Sequence, residues 1–291
     1  MSKEGFVQVP GGRVWFQVVG SGSGIPLLTL HGGPGFTHEY LTPLGGLADE
    51  RPVVFYDQLG CGKSDRPSDL SLWYAERFVE ELVAVRLALS LDEVHILGQS
   101  WGGMLATDYL LTRPHGVRSV ILASAPLSIT RWNEDMAALL AELPDDVRDV
   151  YERHEASGTT DCLEYQAAML HFYKRHVCRL ERWPECVELA FKGAGMDVYH
   201  TMWGPSEFRA TGNLSDYDRT GRLGEINIPT LLTCGRYDEA TPGATAWFQS
   251  LIPSSELVVF ENSAHLAHVE ETDRYLELVR GFLRRVEARA A

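Results

Sequence analysis

Long apolar runs are missing from this chain. No stretch approaches 18 uninterrupted apolar residues, and the opening Met1-Ser2-Lys3-Glu4-Gly5 carries no apolar signal core. Neither a membrane partner nor export is expected. Positive charge is scarce as well: 26 Lys and Arg stand against 40 Asp and Glu, a formal net charge of -14. Nucleic-acid binding depends on clustered Lys and Arg that release counterions from phosphate, so no nucleic-acid partner is expected. Cysteine is sparse and odd in number, with Cys61, Cys162, Cys178, Cys186 and Cys234 scattered along the chain. That pattern fits free thiols in a reducing cytoplasm better than a disulfide framework. His171, His176, Cys178 and Cys186 match no two-plus-two zinc spacing, so no metal site is expected. Gly60-Cys61-Gly62-Lys63-Ser64 lacks the four residues that a phosphate loop requires between its first Gly and Gly-Lys.

What is present is a repeated strand-loop-helix pattern suited to a large α/β domain. Ile25–Leu30, Pro52–Tyr56, Glu93–Leu97, Arg118–Ser124, Ile228–Cys234 and Leu257–Phe260 are short, nearly continuous apolar runs, as strands buried on both faces of a parallel sheet read. Ahead of them, two alternating runs around Pro10-Gly11-Gly12 predict a hairpin of edge strands. Helical spacing of apolar residues predicts helices over Trp73–Leu89, Met104–Leu111 and Asp273–Ala288, the last burying Leu276, Val279, Leu283 and Val286. After Pro126 the alternation stops. Helices then follow at Asn133–Leu143, Asp145–Ala156, Glu164–Arg179 and Glu185–Phe191, in a stretch rich in aromatic and sulfur side chains. The expected division is an α/β core of residues 1–126 and 226–291 with a helical cap, 127–225, inserted before the strand that leads to Asp238.

Gly98-Gln99-Ser100-Trp101-Gly102 lies between a predicted strand and a predicted helix, the setting of a nucleophile elbow. A Cβ at either glycine would strike the neighbouring strand or helix. A serine hydroxyl is a poor nucleophile at neutral pH and needs a base, which in turn needs an orienting acid. Asp238 and His265 follow Ser100 in the chain, each just beyond a strand's carboxyl end, where open parallel sheets bind ligands. The order Ser, Asp, His is that of α/β-hydrolases. His268 competes with His265 for the base, and Glu239 competes with Asp238 for the acid. The backbone N–H groups of Trp101 and of Gly33, in the glycine-rich His31-Gly32-Gly33-Pro34-Gly35, are the expected oxyanion donors.

In these segments, together with Asp57-Gln58-Leu59-Gly60-Cys61-Gly62-Lys63-Ser64, Gly204-Pro205-Ser206-Glu207-Phe208 and Gly235-Arg236-Tyr237-Asp238-Glu239, the chain resembles the proline iminopeptidases and related amino acid amidases of the α/β-hydrolase fold. The resemblance extends over nearly the whole length. It implies a helical cap over the serine and hydrolysis of amides that carry a free amino-terminal residue, often proline. It also implies carboxylates that hold the substrate's ammonium group, which fall here on Glu207 and Glu239. Trp101 stands where many members have tyrosine. An independent physical reason supports such a pair, because a buried ammonium without a carboxylate partner is several kcal/mol unfavourable. The expected function is a serine aminopeptidase that works through an acyl-enzyme without metal or organic cofactor, on a peptide, an amino acid amide or an aminoacylated natural product. The alternatives are a general esterase or lactonase and a ligand receptor on a hydrolase fold.

Overall fold

The computed structural model describes residues 2–290. Its centre is an eight-stranded sheet in the order β1-β2-β4-β3-β5-β6-β7-β8. The hairpin strands β1 (Ser2–Val9) and β2 (Gly12–Val19) pair antiparallel, and Gly11 turns between them at φ +93°. Only β1 is an edge. β2 pairs on its other side with β4 (Val53–Tyr56), which corrects the expectation of two edge strands. Side-chain alternation reports which face is buried and carries no signal of how many neighbours a backbone has.

β3 (Leu27–Leu30), β4, β5 (Val94–Gln99), β6 (Val117–Ala123), β7 (Thr230–Gly235) and β8 (Ser255–Phe260) run parallel. Alternate residues of these strands feed two separate cores. Leu28, Val54, Ile96, Val120 and Leu232 pack on one face, beneath Phe78, Leu82 and Val85 of α1 (Ala75–Ala88) and Met104 and Leu105 of α2 (Trp101–Leu111). Leu27, Val53, Leu97, Ile121 and Leu231 pack on the other face. Each such side chain contributes about 1.5–3 kcal/mol on full burial, so both faces specify the register.

Between β6 and β7 the chain forms α3 (Ile129–Ala141), α4 (Asp145–Ser157), α5 (Leu163–His176), α6 (Glu185–Lys192) and α7 (Met196–Met202). They make a helical cap inserted ahead of β7. α3 begins four residues earlier than its apolar spacing predicts, because the Ser128 hydroxyl accepts from the Arg131 N–H and caps it. α8 (Pro242–Leu251), which crosses from β7 to β8, is absent from the sequence reading, as is α7. α8 had a signature: Thr241 caps it, accepting from the Ala244 N–H at 3.1 Å, and Pro242 occupies its first turn. α9 (Ala267–Glu270) precedes α10 (Thr272–Ala290), which covers the second face with Tyr275, Val279, Phe282, Leu283 and Val286; Leu276 is only half-buried. A 3-10 segment, His38–Leu47, shares that face through Tyr40, Leu41, Leu44 and Leu47. No helix among the described residues is long and apolar enough to cross a membrane.

Candidate active site

Ser100 sits between β5 and α2 at φ +55°, ψ -123°, a conformation that L residues rarely adopt. Strain of this kind is worth about 1–3 kcal/mol and persists only where neighbours fix it. Here the Ser100 N–H donates to the Ala123 carbonyl at 2.8 Å and the Gly103 N–H donates to the Ser100 carbonyl at 2.8 Å. The flanking glycines are a steric requirement: a Cβ at Gly98 would lie 2.1 Å from the Gly102 oxygen, and one at Gly102 would lie 2.0 Å from the Leu30 oxygen.

His265 follows β8, and its Nδ1 donates to Asp238 Oδ1 at 2.7 Å. Asp238, fully buried after β7, also accepts from the Ser124 hydroxyl at 2.6 Å, the Ala240 N–H at 2.8 Å and the Gly235 N–H at 3.3 Å. This ring of donors fixes the carboxylate, which in turn fixes the imidazole with Nε2 free of Asp238. Nε2 lies 3.8 Å from Glu239 Oε1, and Ser100 Oγ makes no hydrogen bond to His265 among the described residues. His268 is elsewhere occupied. Its Nε2 contacts the Tyr40 carbonyl at 3.0 Å, and burial holds its pKa down at about 3.

Ser100, His265, Gly33, Glu207 and Glu239 line one cavity of about 630 Å³. Its remaining wall is mostly apolar and aromatic, with Phe36, Met169, Tyr173, Phe191, Tyr199 and Phe208 from both the core and the cap. Glu207 is held on the loop after α7, where Gly204 turns at φ +127° and the Trp203 indole donates to the Glu207 carbonyl at 3.2 Å. Its carboxylate accepts from the Tyr199 hydroxyl, and burial raises its pKa. Glu239 is 2% exposed, and its Oε2 has no hydrogen-bond partner. Burial first, and then the charge of Glu207, push the Glu239 pKa well above the usual carboxylate range, and the His265 imidazolium is the charge that opposes them and favours the ionised form. A half-buried and a fully buried carboxylate on one cavity wall call for a cation.

The two expected oxyanion donors also have open N–H groups. The Trp101 N–H, at the start of α2, and the Gly33 N–H have no acceptor among the described residues, whereas the Gly32 N–H is taken by the Tyr40 hydroxyl at 2.7 Å. The Trp101 indole does not line the cavity. It donates to Gln58 Oε1 at 2.9 Å and packs edge-on against Phe78. Gln58 in turn is committed to the His31 turn: its Nε2 donates to the His31 carbonyl at 2.9 Å and its backbone N–H donates to His31 Nε2 at 2.9 Å. The Asp57–Ser64 loop is thus a brace behind the His31–Gly35 turn.

Four contributors escaped the sequence reading. Tyr199 bonds Glu207, and Ser124 bonds Asp238. Tyr40 donates to Gln99 Oε1 at 2.6 Å, and Gln99 Nε2 donates to the His265 carbonyl at 3.2 Å. Only Gln99, inside the serine motif, and Ser124, at a strand's carboxyl end, had a positional signal.

Residues 25–272 match the family model described as alpha/beta hydrolase fold. A proline iminopeptidase of Heyndrickxia coagulans is 52% identical over 285 residues, covering 97% of this chain and 99% of that protein. Among solved structures, VinJ superposes with a TM-score of 0.95 at 39% identity, covering 98% of this chain and 99% of its own. A proline iminopeptidase of Mycobacterium smegmatis gives a TM-score of 0.92 at 36% identity, covering 99% and 100%.

Proposed function

The chain belongs to the α/β-hydrolase family and, within it, to the proline iminopeptidases, and on that premise we propose that it removes an unblocked amino-terminal residue, proline or a small one, from a short peptide or aminoacyl amide. Ser100 attacks the carbonyl carbon. His265 takes the Ser100 proton at Nε2, with Asp238 holding the ring, and the N–H groups of Trp101 and Gly33 receive the oxyanion. His265 then returns the proton to the departing amine. The C–N bond breaks, the acyl-enzyme remains, and a water deprotonated by His265 releases the free amino acid. Glu207 and Glu239 hold the substrate's ammonium group. The reaction as written calls for no metal or organic cofactor. In this reading the helices of residues 127–225 roof the site, and residues 1–126 and 226–291 supply the chemistry. The five unpaired cysteines support work in a reducing cytoplasm.

The observation that carries the proposal is the pair of half-buried Glu207 and fully buried Glu239 on the same cavity as Ser100 and His265. An esterase has no use for two carboxylates beside its nucleophile, and an N-acylated substrate would leave both unpaired. The test is side-by-side hydrolysis of prolyl, alanyl and N-acetyl-alanyl anilides, with the Ser100→Ala protein as blank. Cleavage of the free amines alone is expected. Turnover of a short ester with none of the anilides cleaved would return the site to the esterase reading.

A further inference from the structure

Three acidic side chains converge on one imidazole. Asp238 holds Nδ1 at 2.7 Å, Glu239 Oε1 lies 3.8 Å from Nε2, and Glu207 completes the set from the cap side of the cavity. Apart from the exposed His200 at the cavity wall beside Tyr199, the neighbouring groups among the described residues bring no compensating cation. Tyr173 and Tyr199 are neutral phenols held well above their ordinary pKa by burial. His268 is bonded to the Tyr40 carbonyl, and His176 to the Tyr237 carbonyl at 2.8 Å. Neither Glu207 nor Glu239 has a Lys or Arg within 4.0 Å among the described residues. Among the described residues, the positive charge that acts on both glutamates is the imidazolium of His265 itself.

We propose that in the free enzyme Glu239 is the counter-ion of His265, so that the base rests protonated and turned from Ser100, and that the substrate's ammonium frees it by taking Glu239 and Glu207. This rests on the ammonium reading of those two residues and adds a role for Glu239 beyond holding substrate. Charge balances in the exchange: one ammonium enters, one proton leaves Nε2 for solvent, and the cluster keeps its net charge. Uncharged compounds cannot make that exchange, so they meet a base that is already protonated. The pKa of the ring agrees. Burial alone would lower it, but the fields of Asp238, Glu239 and Glu207 outweigh burial and hold it at about 9. Each pKa unit above the working pH is a tenfold loss of free base.

The test compares acid limbs of pH-rate profiles for an uncharged acetate ester and for prolyl anilide, in the wild type and in Glu239→Gln. kcat reports the protonation of the bound complex, and kcat/KM that of the free enzyme. The ester's limb is expected near pH 9, and the limb of kcat for prolyl anilide at least one unit lower. Glu239→Gln should move the ester's limb down by a unit or more, so that ester hydrolysis at pH 7 rises about tenfold while prolyl anilide hydrolysis falls. A merely structural glutamate would depress both. A second measurement needs no variant of Glu239: calorimetric titration of the Ser100→Ala protein with prolinol at pH 8, in buffers of different ionisation enthalpy, should show release of close to one proton. Binding without proton release, or an ester limb unmoved by Glu239→Gln, overturns the inference and leaves the aminopeptidase reading standing. Failure of prolinol to bind, with no preference for free amines, removes both.

Discussion

The Tyr199 hydroxyl is the one neutral donor on Glu207, and it shows how a single contact sets the charge of the site. A donor on a carboxylate stabilises its ionised form, so in this buried setting Tyr199 opposes the upward push of burial on the Glu207 pKa. Removing the hydroxyl lets that pKa climb further, which favours the neutral acid and, on the proposed role of Glu207, weakens its hold on an ammonium group. A hydrogen bond to a charged group is worth about 1.5–3 kcal/mol, so Tyr199→Phe is expected to raise KM for prolyl anilide roughly ten- to a hundredfold. Acetate ester hydrolysis should change less than twofold. Equal losses on both substrates would mean that Tyr199 supports the cavity wall alone. Residues of this kind mark the limit of sequence reading. The strand-end positions of Ser100, Asp238 and His265 were legible because strand ends are visible in apolar periodicity. Ser124 meets Asp238 across 114 positions and Tyr40 meets Gln99 across 59, contacts that exist only once the sheet has formed.

At the scale of elements, the turn from β5 to α2 carries the heaviest steric demand. Gly102 lies against the backbone of β3, where a methyl group would approach the Leu30 oxygen to 2.0 Å and the His31 oxygen to 2.9 Å. Backbone cannot step aside as a flexible side chain can, so Gly102→Ala should force β3, β5 and α2 apart. The expected loss of unfolding free energy is about 3 kcal/mol or more, read by urea denaturation. Gly221→Ala, with nothing within 4 Å of the new carbon, is the matched control and should stay within about 0.5 kcal/mol. A loss below about 1 kcal/mol at Gly102 would show that the turn has slack. The same logic explains which elements could be read in advance. Strands buried on both faces announce themselves as apolar runs, and α1 and α10 as spaced apolar residues. The His38–Leu47 segment has Pro43, Gly45 and Gly46 inside it and no helical period, so its packing against α10 had no pattern to betray it.

Across the whole molecule, cap and core meet at the loops that carry Glu239 and His265. The His176 carbonyl at the end of α5 accepts from the Glu239 N–H at 3.3 Å and from the His265 N–H at 3.2 Å, and the Val177 carbonyl accepts from the Leu266 N–H at 3.1 Å. A cap helix therefore helps to fix both the loop after β7 that carries Glu239 and the loop after β8 that carries His265, and the cavity is lined by Glu207 from the cap and Glu239 from the core. A formal net charge of -14 gives the molecule a net negative field at long range. Such a field attracts a cationic substrate from a distance and is indifferent to a neutral one. Salt shortens its reach, from a Debye length of about 30 Å at 0.01 M to about 3 Å at 1 M. The expected outcome is a several-fold fall in kcat/KM for prolyl anilide between 10 mM and 500 mM sodium chloride, measured at a fixed pH where the substrate amine is protonated. Acetate ester should be nearly flat across the same range, because it carries no charge for the field to act on. Glu239→Gln isolates the local part: it removes one carboxylate out of 40 acidic residues, so the salt slope should persist in that variant even as prolyl anilide turnover falls. A slope that vanishes with Glu239 alone would trace the attraction to the cavity floor and not to the molecule's overall charge.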